Sequence, residues 1–200
     1  CLLTDVEARI GRQDELQVRS PGVMLGYWDN DKATGEMIDK QGWLHTGDKA
    51  RLDRGHLYIT GRLKEILVLA NGEKVSPADM EMAICMDSLI EQAIVIGDNR
   101  PYLSALLVLN PEQWALLATR LGLDPDDPQA CNHAQIREVV LERVAQRISM
   151  FPGYARIRAI ACQLQPWTIE DGLMTPTLKL KRDQVCARYR NEIEQLYADH

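Results

Sequence analysis

Three side chains have types and neighbours that could do chemistry. Asp48 closes the run Gly42-Trp43-Leu44-His45-Thr46-Gly47-Asp48 and stands directly after a glycine, at the end of a strand-like segment. A carboxylate only accepts hydrogen bonds and has two oxygens, so there it can take both hydroxyls of a vicinal diol. Arg62 follows fourteen residues later in Thr60-Gly61-Arg62-Leu63-Lys64-Glu65. Its planar fork suits a carboxylate, a phosphate or the same diol. Lys181 belongs to Leu173-Met174-Thr175-Pro176-Thr177-Leu178-Lys179-Leu180-Lys181-Arg182, inside a locally basic stretch that includes Arg188 and Arg190 and has Asp183 as its acidic neighbour. Each has a plainer reading too. Asp after Gly is a common turn residue, and lysine in a basic run is commonly solvated surface.

The elements that must position these residues change character along the chain. Residues 1–60 read as short strands. Leu16 and Val18 alternate with Gln17 and Arg19, and Arg54-Gly55 marks a tight hairpin between 49–53 and 56–60. A short helix is predicted over 29–38 with Asp29 or Asp31 as its cap. This is little chain for a core of its own, and it reads as completing a β-subdomain whose other strands lie elsewhere.

From Arg62 onward the pattern is mixed. Asn71-Gly72 signals a hairpin, and Ser76-Pro77-Ala78-Asp79 and Asn110-Pro111-Glu112-Gln113 open helices. Residues 90–97, 102–109 and 157–164 are apolar strands. Ile136, Val140, Val144 and Ile148 recur every fourth residue on one helix face, and Val185, Tyr189, Ile193 and Leu196 mark a final amphipathic helix. Helices that do not strictly alternate with strands predict an α+β fold: a hairpin and a mixed sheet packed by helices, preceded by a β-rich piece.

Composition bounds the class. Hydrophobic content of 46%, charged content of 26% and a net charge of −6 describe a globular chain, with neither nucleic acid nor anionic membrane as a bulk partner. No apolar run is long enough for a membrane span. The cysteines (Cys1, Cys85, Cys131, Cys162, Cys186) are scattered without a Cys-x-x-Cys pair, which predicts reduced thiols in a cytoplasmic protein. Cys131 and His133 offer two ligands, too few for a tetrahedral metal site. No segment reads as a glycine- and hydroxyl-rich loop able to cradle phosphates, and the chain starts at Cys1, so it reads as the C-terminal piece of a longer polypeptide.

The Gly-Asp and Gly-Arg motifs and the Thr-Pro-Thr-Leu-Lys-Leu-Lys-Arg segment, in this order, resemble signatures of the AMP-forming acyl-CoA synthetases, an adenylate-forming family. The last segment resembles the long-chain type, with Leu180 where the family usually has glycine. The resemblance implies residues 1–62 as the end of a large AMP-binding domain and 63–200 as a mobile C-terminal domain. It implies Asp48 and Arg62 at the ribose of ATP, Tyr58 and Ile59 near the adenine, Lys64 as the hinge and Gly72 along the pantetheine arm of CoA. It gives Lys181 the adenylation role, holding carboxylate and α-phosphate as charge shifts, with Lys179 as the competitor for register. It implies a fatty acid, ATP and CoA as substrates, magnesium held by phosphates and by residues outside this chain, and the missing N-terminal domain as partner. Peripheral membrane association of the full enzyme is compatible with it. Two rivals remain open: a fatty-acyl-AMP ligase that loads a carrier protein, and a non-enzymatic docking module. Acyl chain length is not readable in these residues.

Overall fold

The structure, a computed structural model, describes residues 5–63, 66–127 and 129–198. The chain divides into two compact units, Cys1–Ile66 and Leu67–His200. Lys64, the hinge residue of the resemblance, lies outside the described residues.

In the first unit β1 (Glu7–Ile10), β2 (Glu15–Arg19), β3 (Leu44–Asp53) and β4 (His56–Arg62) form an antiparallel sheet in chain order. The hairpin at Arg54-Gly55 forms as predicted. Asp53 pairs with His56, and Arg54 and Gly55 both take positive φ (49° and 78°), the pattern of a primed turn. Helix α1 (Asp31–Met37) is capped by neither predicted aspartate. Asn30 takes the position, and its side-chain oxygen accepts the Ala33 N–H at 3.0 Å.

The simple alternation expected of β2 also fails. Leu16 is buried, but so is Gln17, because Arg9, Glu15 and His45 surround its amide with hydrogen-bond partners. A buried amide persists only when satisfied in this way.

The second unit opens with a hairpin, β5 (Leu67–Val68) and β6 (Lys74–Val75), followed by α2 (Pro77–Cys85). Ser76 occupies the N-cap position of α2, yet its side chain makes no capping hydrogen bond there. The strands β7 (Ile90–Ile96), β8 (Leu103–Leu109) and β9 (Ile157–Gln163) form a mixed sheet in the order β7-β8-β9, with β8 antiparallel to β7 and parallel to β9. Helices α3 (Pro111–Arg120), capped by Asn110, and α4 (Ala134–Arg147) make the crossover that a parallel pair requires. At the free edge of β9, the Asn132 amide accepts the Cys162 N–H and donates to the Cys162 carbonyl, both at 2.8 Å.

β8 explains why this sheet reads as a continuous apolar run. Every residue of it is buried. Leu103, Ala105, Leu107 and Leu109 pack with Met80, Ile84, Trp114, Ile136, Val140 and Val144 of the helices on one face. Leu106 and Val108 pack on the other with Trp167, Val185, Ile193 and Tyr197. A strand covered on both faces loses the alternation of a half-exposed one. The final helix is two, α5 (Arg182–Arg188) and α6 (Arg190–Gln195), broken where Tyr189 leaves helical geometry (φ −103°, ψ 29°). The predicted apolar stripe survives the break, with Val185 and Ile193 buried. The fold is α+β, as the order of runs predicted.

Candidate active site

Asp48 and Arg62 meet. They are register partners across β3 and β4, and the Arg62 Nε lies 3.1 Å from the Asp48 Oδ1. Arg62 is mostly exposed and Asp48 about a third so (side chains 58% and 30%), which leaves the carboxylate with acceptor capacity beyond this one partner.

The strand bends at this point on both sides. Between β2 and β3, Leu16 stands opposite Thr46, Gly47 and Asp48 together; between β3 and β4, Thr60 is left over after Lys49 pairs with Gly61 and Ala50 with Ile59. Such bulges re-aim side chains at the ends of pairing. The first depends on Gly47, whose φ of 71° costs a residue with a Cβ about 1–2 kcal/mol.

Beneath the bulge lies a polar cluster that sequence reasoning did not find. The Glu15 carboxylate accepts the Gly47 N–H (3.2 Å), pairs with the His45 Nδ1 (2.8 Å) and accepts from the Gln17 amide (3.1 Å). Burial alone would raise the Glu15 carboxyl, but the hydrogen bonds from Gln17, His45 and Gly47 outweigh it and hold it below the usual range. The Thr46 hydroxyl donates to the Leu16 carbonyl (2.7 Å) and accepts the Asp48 N–H (3.1 Å). Glu15 and Gln17 are ordinary strand residues until strand pairing brings His45 against them, so nothing in the local pattern marks them.

Tyr58 and Ile59 are both exposed on β4, and the Arg51 guanidinium stacks 4.6 Å from the Tyr58 ring centroid. The structure thus gathers Asp48, Arg62, Tyr58 and Ile59 onto one hairpin.

The remaining described candidates lie in the second unit. Gly72 sits in the β5–β6 turn at φ 86°, where its N–H donates to the Leu69 carbonyl at 2.8 Å. A Cβ there would meet nothing within 4 Å, so the turn geometry by itself accounts for the glycine. The neighbouring Asn71 borders a cleft of about 750 Å³ that also presents Tyr154, Arg156 and Arg158.

Lys181 is exposed and occupies the N-cap position of α5. The preceding residues fold into a compact turn. Thr175 and Lys179 exchange main-chain and side-chain hydrogen bonds, Leu178 has φ 60°, and Met174 bridges Leu180. Leu180 packs against the second core cluster, while Lys179 and Lys181 on either side of it stay exposed.

Residues 64–200 match the model of the AMP-binding enzyme C-terminal domain. The chain belongs to that family. Its adenylate-forming relatives include a chloroplastic long-chain-fatty-acid–acyl-carrier-protein ligase of Arabidopsis thaliana, 33% identical over 94% of this chain and 26% of the relative. A long-chain-fatty-acid–CoA ligase of Cavia porcellus is 32% identical over 98% of this chain and 29% of the relative. Among solved structures, the A domain of the carboxylic acid reductase from Segniliparus rugosus, in complex with AMP and a co-purified carboxylic acid, matches with a TM-score of 0.79 and 26% identity over 92% of this chain and 28% of that one. The chain thus spans between about a quarter and about a third of the length of the relatives it matches. No helix among the described residues is long and apolar enough to cross a membrane.

Proposed function

We propose that this chain is the C-terminal part of a long-chain fatty-acid–CoA ligase, an AMP-forming acid–thiol ligase. In this reading residues 1–62 end the large AMP-binding domain, 63–200 form the mobile domain and Lys64 is the hinge. The observation that carries it is the Asp48–Arg62 pair: a partly exposed carboxylate held by a guanidinium at a double bulge, with acceptor capacity left for the ribose hydroxyls of ATP. Tyr58 and Ile59 flank the adenine. The fatty-acid carboxylate attacks the α-phosphate, pyrophosphate leaves, and Lys181 steadies the charge that moves between them. Magnesium travels with the ATP phosphates, and its protein ligands and the acyl pocket belong to the missing N-terminal domain.

In the second half-reaction the CoA thiol attacks the acyl carbonyl and AMP leaves. Relatives named for CoA and for carrier protein are almost equally similar, so identity does not separate the acceptors. The cleft beside Asn71-Gly72 supports CoA, because Arg156 and Arg158 supply the cationic forks that a nucleotide's phosphates take. A fatty-acyl-AMP ligase loading a carrier protein is the alternative.

The test is made in the full-length enzyme. Lys181→Ala should slow pyrophosphate exchange by about 10²–10³ and spare thioester formation from supplied acyl-AMP. Equal loss in both half-reactions would make Lys181 structural, and loss on replacing Lys179 instead would move the register by two. Offering the same acyl-AMP to CoA and to a phosphopantetheinylated carrier protein decides the acceptor; a preference for the protein would install the alternative.

A further inference from the structure

The turn that presents Lys181 is fastened by the residue that follows it. Arg182 opens α5, and its guanidinium reaches two other elements. Nη1 donates to the Val95 carbonyl of β7 at 2.7 Å, and Nη2 donates to the Glu81 Oε1 of α2 at 2.6 Å. The same Glu81 oxygen accepts the Val95 N–H at 2.7 Å. Elements far apart in sequence therefore share one closed set of charge-assisted hydrogen bonds. β7 is an edge strand, so at Val95 these two side chains occupy the main-chain groups that a further strand would take. Both side chains are largely covered (27% and 16% exposed), which sets the pair apart from a solvated surface ion pair.

The position of this clamp matters more than its strength. A helix as short as α5 does not hold itself in place, so its start must be held from outside. Lys181 is held on one side by its N–H to the Leu173 carbonyl (2.8 Å) and on the other by the neighbouring Arg182. Lysine carries a point charge on a flexible four-carbon stem, so where its ammonium can reach depends on where its backbone is fixed. A misplacement of about 1 Å in a reacting group can cost about 10²-fold in rate. Arg182 belongs to a basic stretch that invites a reading as a phosphate ligand. Its fork, however, is already spent on Val95 and Glu81.

We propose that Arg182, held by Glu81, is the positioning residue of the adenylation half-reaction. It fixes the backbone from which Lys181 works and touches neither substrate itself. This rests on the role assigned to Lys181 above.

The experiment compares Arg182→Gln, Arg182→Lys and Glu81→Gln in the full-length enzyme, each alone and with Lys181→Ala. Arg182→Gln should slow pyrophosphate exchange by roughly tenfold or more. Thioester formation from supplied acyl-AMP should stay within about twofold, since Lys181 is not used there. Arg182→Lys, which keeps the charge but has no fork, should recover part of the loss, and Glu81→Gln should show a smaller loss in the same half-reaction. In the Lys181→Ala background Arg182→Gln should add nothing, because no ammonium is left to place. Equal damage to both half-reactions, or an undiminished further loss in that background, would make the clamp structural and overturn the proposal. If Lys181→Ala leaves exchange intact, the reading of Lys181 fails and the proposal falls with it. If Lys181→Ala splits the half-reactions while Arg182→Gln changes neither, the proposal alone fails. Should Arg182→Gln not fold, Arg182→Lys gives the same half-reaction split.

Discussion

Between Leu67 and Tyr197 the apolar side chains gather into two buried clusters, one on each face of β8. Among the described residues of the first unit, the buried apolar side chains are Leu16, Trp43 and Ala50, while Leu25 and Trp28 stand almost fully exposed. Order in that unit comes from strand pairing and polar contacts: Arg9 and Arg19 cover the Trp43 ring at 4.2 and 4.7 Å, and Glu15 ties His45 and Gly47 together. The contrast teaches where each half is vulnerable. Side-chain volume matters most in the second unit, and backbone conformation and hydrogen-bond geometry in the first. It also fits the proposed division of labour, with nucleotide recognition on a sheet that the missing domain completes and the lysine on a domain with its own core.

The comparison is broken most directly by cutting the chain. Excised residues 67–200 should fold alone and melt cooperatively, whereas 1–66 should show no cooperative transition, because it buries too little apolar surface. Thermal melts followed by circular dichroism decide this, and a sharp transition in 1–66 would remove the contrast.

A smaller effect is expected at Gly47. A Cβ there meets nothing within 4 Å, so Gly47→Ala isolates the backbone term. In the full-length enzyme, where that unit is completed, it should cost about 1–2 kcal/mol of stability to denaturant through the positive φ alone. It should also raise KM for ATP as Asp48 is re-aimed. An unchanged KM with reduced stability would separate the bulge from nucleotide binding.

The smallest effect concerns pH and the second unit. Burial by itself would raise the Asp87 carboxyl, but hydrogen bonds from Arg143, the Leu89 N–H and Arg147 hold it below the usual range. Its folded pKa is therefore below the unfolded value of about 3.9, so its contribution is complete above that value and is lost as pH falls through it toward the folded one. The melting temperature of 67–200 should fall on acidification below about pH 4, and Asp87→Asn should make that slope shallower. Glu194, also held low by Arg100, leaves part of the slope in place. An identical slope in the variant would show that Asp87 is not the group being titrated.

What could be read from the sequence divides along the same line. The Ile136, Val140 and Val144 stripe and the apolar run of β8 were legible because burial imposes a period on the chain, and all of these residues are indeed buried. The Arg54-Gly55 and Asn71-Gly72 turns were legible because positive φ selects glycine. The meeting of Asp48 with Arg62 was expected from the motif resemblance; hairpin spacing alone would set Asp48 opposite Gly61, and the bulge at Thr60 moves the register by one. Gln17 is buried against expectation because Arg9 of β1 and His45 of β3 join Glu15 around its amide, a meeting that a single strand cannot reveal. The cap of α1 went to Asn30 and the last helix broke at Tyr189, choices made by local geometry among near-equivalent residues. The Arg182 clamp joins residues 81, 95 and 182, a coincidence in space without a counterpart in spacing.

The asparagine at the β9 edge has a consequence outside catalysis. A bare strand margin is a template on which a neighbouring molecule can add its own strand, the first event of many protein aggregates. With both main-chain groups of Cys162 taken by the Asn132 amide, a passing copy that pairs at this position must first displace that amide. Pairing at Cys162 must wait for the short turn at Ala130–Asn132 to peel away. That step belongs to one molecule acting alone, so crowding the solution raises the number of encounters without making this position any more receptive.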